Sequence, residues 1–215
     1  MVYGEPLEEE PMTTASHLTE MDVMEHLIGR DDLTIDDLAD LPEDLRYELI
    51  DGRLVLTPNA IPFHQLLSIK TAAAIEECSP DEFILNVEQS LLISRRNELR
   101  PDVAVIRVEA ALSSPVLPSD VPLVVEILSK SSRKFDRDGK LKKYAYVGIP
   151  AYWIIDPLAD RVTFTQYSLD AGGVYQCLLQ TDELVTVHQP WEITLDLPAW
   201  TRKRDHLRRV ARRSG

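Results

Sequence analysis

The stretch LVVEIL, Leu123 to Leu128, constrains this chain most: an apolar strand of five residues is interrupted by one carboxylate, Glu126. Burying an ionised carboxylate costs several kcal/mol unless a cation, a metal or strong hydrogen bonds compensate it. Any fold for this sequence must therefore bring a partner to Glu126. Strand alternation puts Glu126 on one face with Val124 and Leu128, and Val125 and Ile127 on the other.

Two more acids stand in or beside apolar strands: Glu48 in YELID and Asp102 in RPDVAVI. Asp102 begins its strand, at the kind of sheet end where sites gather in open α/β sheets. If the strands of Asp102 and Glu126 are neighbours, their carboxylates converge on a hard cation, for which oxygen ligands and retained waters make the natural shell of Mg²⁺. After Glu126 comes a lysine-dense segment read as a helix from about Phe135 to Val147. Counted at 100° per residue, Leu141, Tyr144, Ala145 and Gly148 form its apolar face, Lys140 lies at the margin beside Tyr144, and Lys142 and Lys143 point outward. Lys140 is thus the lysine placed to reach the sheet edge. Two acids, a metal and a lysine suit phosphodiester hydrolysis, because the metal activates water and the ammonium offsets charge developing on phosphate.

The rest of the chain reads as a soluble α/β protein of mixed order. LTIDDLADLP is a short helix with Thr34 as N-cap. RYELIDGRLVLTP is a hairpin turning on Asp51-Gly52. FHQLLSIKTAAAIEEC is a helix after Pro62. EFILNVEQSLLIS, RPDVAVIRV and PLVVEIL are β-rich, and AYWIIDP, RVTFTQYSL, VYQCLLQT and ELVTVH follow as further strands. This order predicts an α/β or α+β sheet with helices against its faces. Cys78 and Cys177 form no paired motif and read as small core residues. No run of eighteen apolar residues exists to span a membrane, and no secretory signal is visible, so a cytoplasmic location is expected.

Charge decides the partner class. The net charge is -13, but residues 1–51 hold 16 acids and 2 bases, so the other 164 residues sum to +1. Lys130 to Lys143 carries seven bases and two acids, and RKRDHLRRVARRSG carries seven bases and one acid. Two basic patches on an acidic average fit a polyanion such as DNA. The domain reading is an acidic, disordered N-terminal segment over 1–30, one domain over 31–200, and a basic tail over 201–215, solvated and partly helical. His64 reads first as a helix-start or core histidine, and Trp153 and Tyr152 as core aromatics.

YELIDG, His64 ahead of its helix, RPDVAV, VVEILS and KLKKYAYVGIPAYWIIDP together resemble the Uma-type "putative restriction endonuclease" family of the PD-(D/E)XK nuclease superfamily, over roughly Leu33 to Leu169. The resemblance implies an α/β, restriction-endonuclease-like fold, with a mixed central β-sheet flanked by helices, and a metal-dependent endodeoxyribonuclease. It makes Glu48, Asp102, Glu126 and Lys140 catalytic, with Asp102, Glu126 and Glu48 around Mg²⁺ or Mn²⁺, and DNA as substrate. Leu128 stands where the superfamily expects a lysine, and Lys140 on the next helix takes that role. Ala151 stands where the family often has an acid before the Tyr-Trp pair. The alternative is a catalytically inactive module of the same fold that binds DNA or a protein. Cutting both strands of a duplex would favour a homodimer.

Overall fold

The computed structural model describes residues 26–42, 45–56, 60–130 and 135–213. Most of the acidic segment expected over 1–30 therefore lies outside the described residues, as do residues 131–134 of the first basic patch. Within 26–30, Leu27 is already buried, in a small cluster with Leu33, Leu38, Leu41 and Leu49.

A six-stranded mixed sheet organises the fold, in the order β10-β9-β8-β7-β6-β3. Its strands are β3 (Phe83–Val87), β6 (Val103–Arg107), β7 (Leu123–Ile127), β8 (Ala151–Asp156), β9 (Thr163–Leu169) and β10 (Tyr175–Thr181). Only β7 and β8 run parallel, with Val125 opposite Trp153 and Ile127 opposite Ile155. β6 and β7 are antiparallel, with Val103 opposite Val125, so the strands of Asp102 and Glu126 are indeed neighbours.

Strict alternation along the central strands sends side chains to two cores. Val103, Val105, Val125, Ile127, Trp153 and Ile155 pack against helix α1 (Pro62–Glu76), through Leu67 and Ile75. The same core takes in the hairpin β11 (Leu184–Val187) and β12 (Ile193–Asp196), and the start of helix α3 (Leu197–Ala211). Trp153 meets Phe164 edge to face at 5.1 Å between centroids, so cutting either to Ala would cost about 3–5 kcal/mol.

On the opposite face Val124, Leu128, Ala104, Ile106, Tyr152 and Ile154 pack with Tyr144 of helix α2 (Leu141–Tyr146). This core also holds Leu91 and Leu99, from β4 (Leu91–Ser94) and β5 (Asn97–Leu99). β4 and β5 belong to a second, four-stranded sheet with β1 (Tyr47–Ile50) and β2 (Arg53–Leu56), ordered β2-β1-β5-β4.

The local chemistry explains the punctuation. The β1–β2 turn places Asp51 at φ 51° and Gly52 at φ 81°, the two positive angles of a type I′ hairpin. Asp37 accepts from both the backbone N–H and the hydroxyl of Thr34, at 2.8 Å each, closing the short 3₁₀ turn Ile35–Leu38. Helix α2 ends in a left-handed cap: Gly148 lies at φ 78°, its N–H donates to Ala145, and the Ile149 N–H donates to Tyr144. These are the two bonds of the Schellman motif, and Ile149 closes its apolar contact in the same core as Tyr144. The string VGIP therefore stops the helix and launches β8.

Three features differ from the sequence expectation. EFILNVEQSLLIS is not one β-rich run, since Glu88 at φ 54° breaks it into β3 and β4, which join different sheets. Cys78 and Cys177 are exposed rather than core residues. The 200/201 boundary of the expected tail falls inside α3, and Arg204, within that tail, is buried.

Candidate active site

The site is built where β1, β7 and the segment before α2 converge. Leu49 of β1 turns into the small leucine cluster, so its neighbours Glu48 and Ile50 face the Tyr144 core. Glu126 enters the same core from the penultimate position of β7. Residues Phe135–Lys140 form a π-helical turn that passes into α2. Wide i→i+5 turns recur at functional sites, and this one delivers Lys140 inward at its end.

Lys140 is the partner that Glu126 requires. Its Nζ lies 3.0 Å from Glu126 Oε1 and 2.9 Å from Glu48 Oε1. The three side chains are 6%, 3% and 12% exposed, so this bridged ion triplet is shielded from bulk water and its charges are weakly screened. Tyr144, one turn on from Lys140, donates its hydroxyl to Glu126 Oε1 at 2.9 Å. Burial, then the Glu126 charge, raises the Tyr144 phenol well above its ordinary value, so it stays a donor. Glu48 Oε1 also accepts the backbone N–H of Arg100 at 2.9 Å.

Asp102 sits one residue before the β6 ladder, across from Glu126. Its Oδ2 accepts the backbone N–H of Ile127 at 2.6 Å, which ties the end of β6 to the end of β7. His64, in the first turn of α1, brings Nε2 to 2.8 Å from the Ile127 carbonyl and 3.5 Å from Asp102 Oδ2. The carbonyl can only accept, so that bond puts the proton on Nε2.

All four residues expected from the sequence thus gather at one end of the central strands, and His64 joins them. Sequence reading missed Tyr144 as a polar contact, counting it only as apolar face; its i+4 spacing from Lys140 was the available signal. It also missed Glu98, a buried acid in β5 that accepts from Ser90 at 2.5 Å and stands 3.8 Å from Arg100. Glu98 belongs to the second sheet's own network. Lys143 points away from the triplet and pairs with Asp51 at 2.5 Å, while Lys142 is exposed.

The donor chemistry fits a hard cation in one form and not in another. Among the described residues no group of three or more His, Cys, Asp or Glu side chains is arranged to enclose a metal ion, so the expected three-carboxylate cage is absent. Mg²⁺ is commonly held by only one or two carboxylates, with waters and substrate phosphate completing its shell. Asp102 and Glu126, on adjacent strands, fit that mode.

The family described as "Uma2: Putative restriction endonuclease" matches residues 35–202. Among solved structures, a crystal structure described as a putative nuclease belonging to DUF820 from Anabaena variabilis ATCC 29413 superposes with a TM-score of 0.62 at 19% identity. That match covers 79% of this chain and 99% of the other, and it shows a shared fold. No curated protein matches.

Proposed function

Because the chain belongs to the Uma2 family, described as putative restriction endonucleases, we propose that it is a metal-dependent endonuclease that hydrolyses DNA phosphodiester bonds at the cluster of Glu48, Asp102, Glu126 and Lys140. The observation that carries the reading is the buried Lys140 ammonium shared by Glu48 and Glu126, at 2.9 and 3.0 Å. A lysine held between two carboxylates beside a third is a costly arrangement that packing alone does not require.

In this reading Asp102 and Glu126 hold Mg²⁺, or Mn²⁺ in its place, with Glu48 beside them. When bound, the cation polarises the phosphate and makes hydroxide available near neutral pH. Lys140 offsets the charge that develops on the phosphate oxygens, and Glu48 keeps its ammonium aimed. Tyr144 fixes the rotamer of Glu126, and the Ile127 N–H fixes that of Asp102. Among the described residues no helix is long and apolar enough to cross a membrane. We place the enzyme with its DNA in the cytoplasm, and a homodimer is the arrangement that would cut both strands.

The test is cleavage of supercoiled plasmid by purified wild type and Glu126→Gln, with Mg²⁺ and with EDTA. Metal-dependent nicking or linearisation by wild type alone is expected, together with a rise in wild-type melting temperature on adding metal. A wild-type protein that binds DNA, ignores metal and cuts nothing would replace the nuclease with a non-catalytic module of the same fold.

A further inference from the structure

The catalytic reading leaves the C-terminal basic run unused. The run is not a loose end: most of it belongs to α3, one face of which is firmly docked. Leu197, Trp200 and Arg204 are buried, at the 3- and 4-residue spacings of one helix face. The Arg204 guanidinium donates to the carbonyls of Pro157, Ala159 and Asp160 at 3.0, 2.7 and 2.5 Å. The opposite face carries Arg202, His206 and Arg209, spaced 4 and 3 residues apart and all exposed, and exposed Arg213 lies in the turn that follows the helix. From Arg202 to Arg209 they form a stripe about 10 Å long at 1.5 Å per residue.

The location of the clamp gives the stripe its meaning. Residues 157–160 leave the end of β8, and β8 runs parallel to β7 with Ile127 opposite Ile155. Asp102 and His64 contact Ile127 at that same sheet end. The three carbonyls gripped by Arg204 therefore anchor α3 at the end of the sheet that carries the candidate site.

Resting on the nuclease reading above, we propose that Arg202 and Arg209 of α3, with Arg213 in the turn that follows it, form a contact surface for the backbone of duplex DNA, engaging phosphates that flank the bond at the Lys140 cluster. The helical part equals roughly three base pairs of duplex at 3.4 Å each. The three guanidinium groups match phosphate without reading bases. The bound polyanion would meet positive charge here.

The test measures binding of a fluorescein-labelled 30-base-pair duplex by anisotropy in EDTA, across a KCl series, for the full-length chain. The probe variant is Arg202→Gln/Arg209→Gln/Arg213→Gln, which keeps Arg204 and the clamp. The slope of log affinity against log salt should flatten by about 0.9 per lost contact, so by about 2.7 for all three, at an unchanged melting temperature. The matching triple Lys variant should restore the slope, since it returns charge without the guanidinium. Wild-type binding with the same slope in the Gln variant would overturn the surface and leave the nuclease reading standing. Wild type that fails to bind duplex DNA at all would overturn both.

Discussion

Lys140 donates from Nζ to Glu126 Oε1 at 3.0 Å, with both side chains almost wholly buried. Removing one member of a buried pair strands the other charge, at a cost of about 3–5 kcal/mol. Lys140→Ala should therefore lose stability on that scale in EDTA by urea unfolding, and slow metal-dependent cleavage on the order of 10²–10³-fold. Lys142→Ala, at an exposed position, should stay within about 0.5 kcal/mol of wild type. Equal effects of the two variants would contradict the assignment of Lys140.

Asp102 serves two separable ends, as an acceptor for the Ile127 N–H and as a proposed metal ligand. Asp102→Asn retains an acceptor oxygen and should fold nearly as stably as wild type, yet lose metal-dependent cleavage. Asp102→Ala orphans the Ile127 N–H and should cost about 1–3 kcal/mol in addition. If Asn and Ala are equally destabilised by thermal melting, the 2.6 Å bond contributes nothing.

Alkaline pH should expose the buried phenols. Burial raises Tyr144, near the Glu126 charge, and Tyr175 above their ordinary value of 10.0. In the unfolded chain these groups lose protons near that ordinary value, while the folded state keeps them protonated. The unfolded state then binds fewer protons, so stability is intact below about pH 10 and falls as pH climbs above it. Urea unfolding between pH 9 and 11 should show that fall, and Tyr144→Phe should flatten it at some cost in neutral-pH stability.

Arg204→Ala removes the clamp on the 157–160 loop without touching the carboxylate cluster. The buried carbonyl of Pro157 and the part-buried bonds to Ala159 and Asp160 lose a charged donor, for a loss on the order of 3 kcal/mol. Differential scanning calorimetry should show the drop in melting temperature, while metal-dependent cleavage at low temperature persists. Full loss of cleavage in a folded Arg204→Ala protein would mean that the loop itself belongs to the site.

Much of this protein follows from local rules. Asp51-Gly52 can hold positive φ, so the β1–β2 hairpin forms where those residues stand. Alternation along LVVEIL makes Glu126 face the Tyr144 core whatever the neighbours are. The buried acid demands a cation, and helical spacing singles out Lys140. Fold class and the candidate residues Asp102, Glu126 and Lys140 were legible for these reasons, since each rests on a period or a charge that the chain carries within a few residues, whereas a site role for Glu48 came from the family resemblance.

Long-range packing decided the remainder. Nothing near Glu88 announces that its left-handed backbone divides one β-rich run between two sheets, because that angle is imposed by the sheets on either side. The hydroxyl of Tyr144 becomes a donor to Glu126 only once α2 lies on β7. Arg204 reads as one arginine among seven bases until the carbonyls of the 157–160 loop are brought to it, and burial then turns a charge run into a docked helix. Cys78 and Cys177 are small and apolar enough for a core, yet the surface received them. Periodicity reports which face a residue takes; only the assembled chain reports what that face meets.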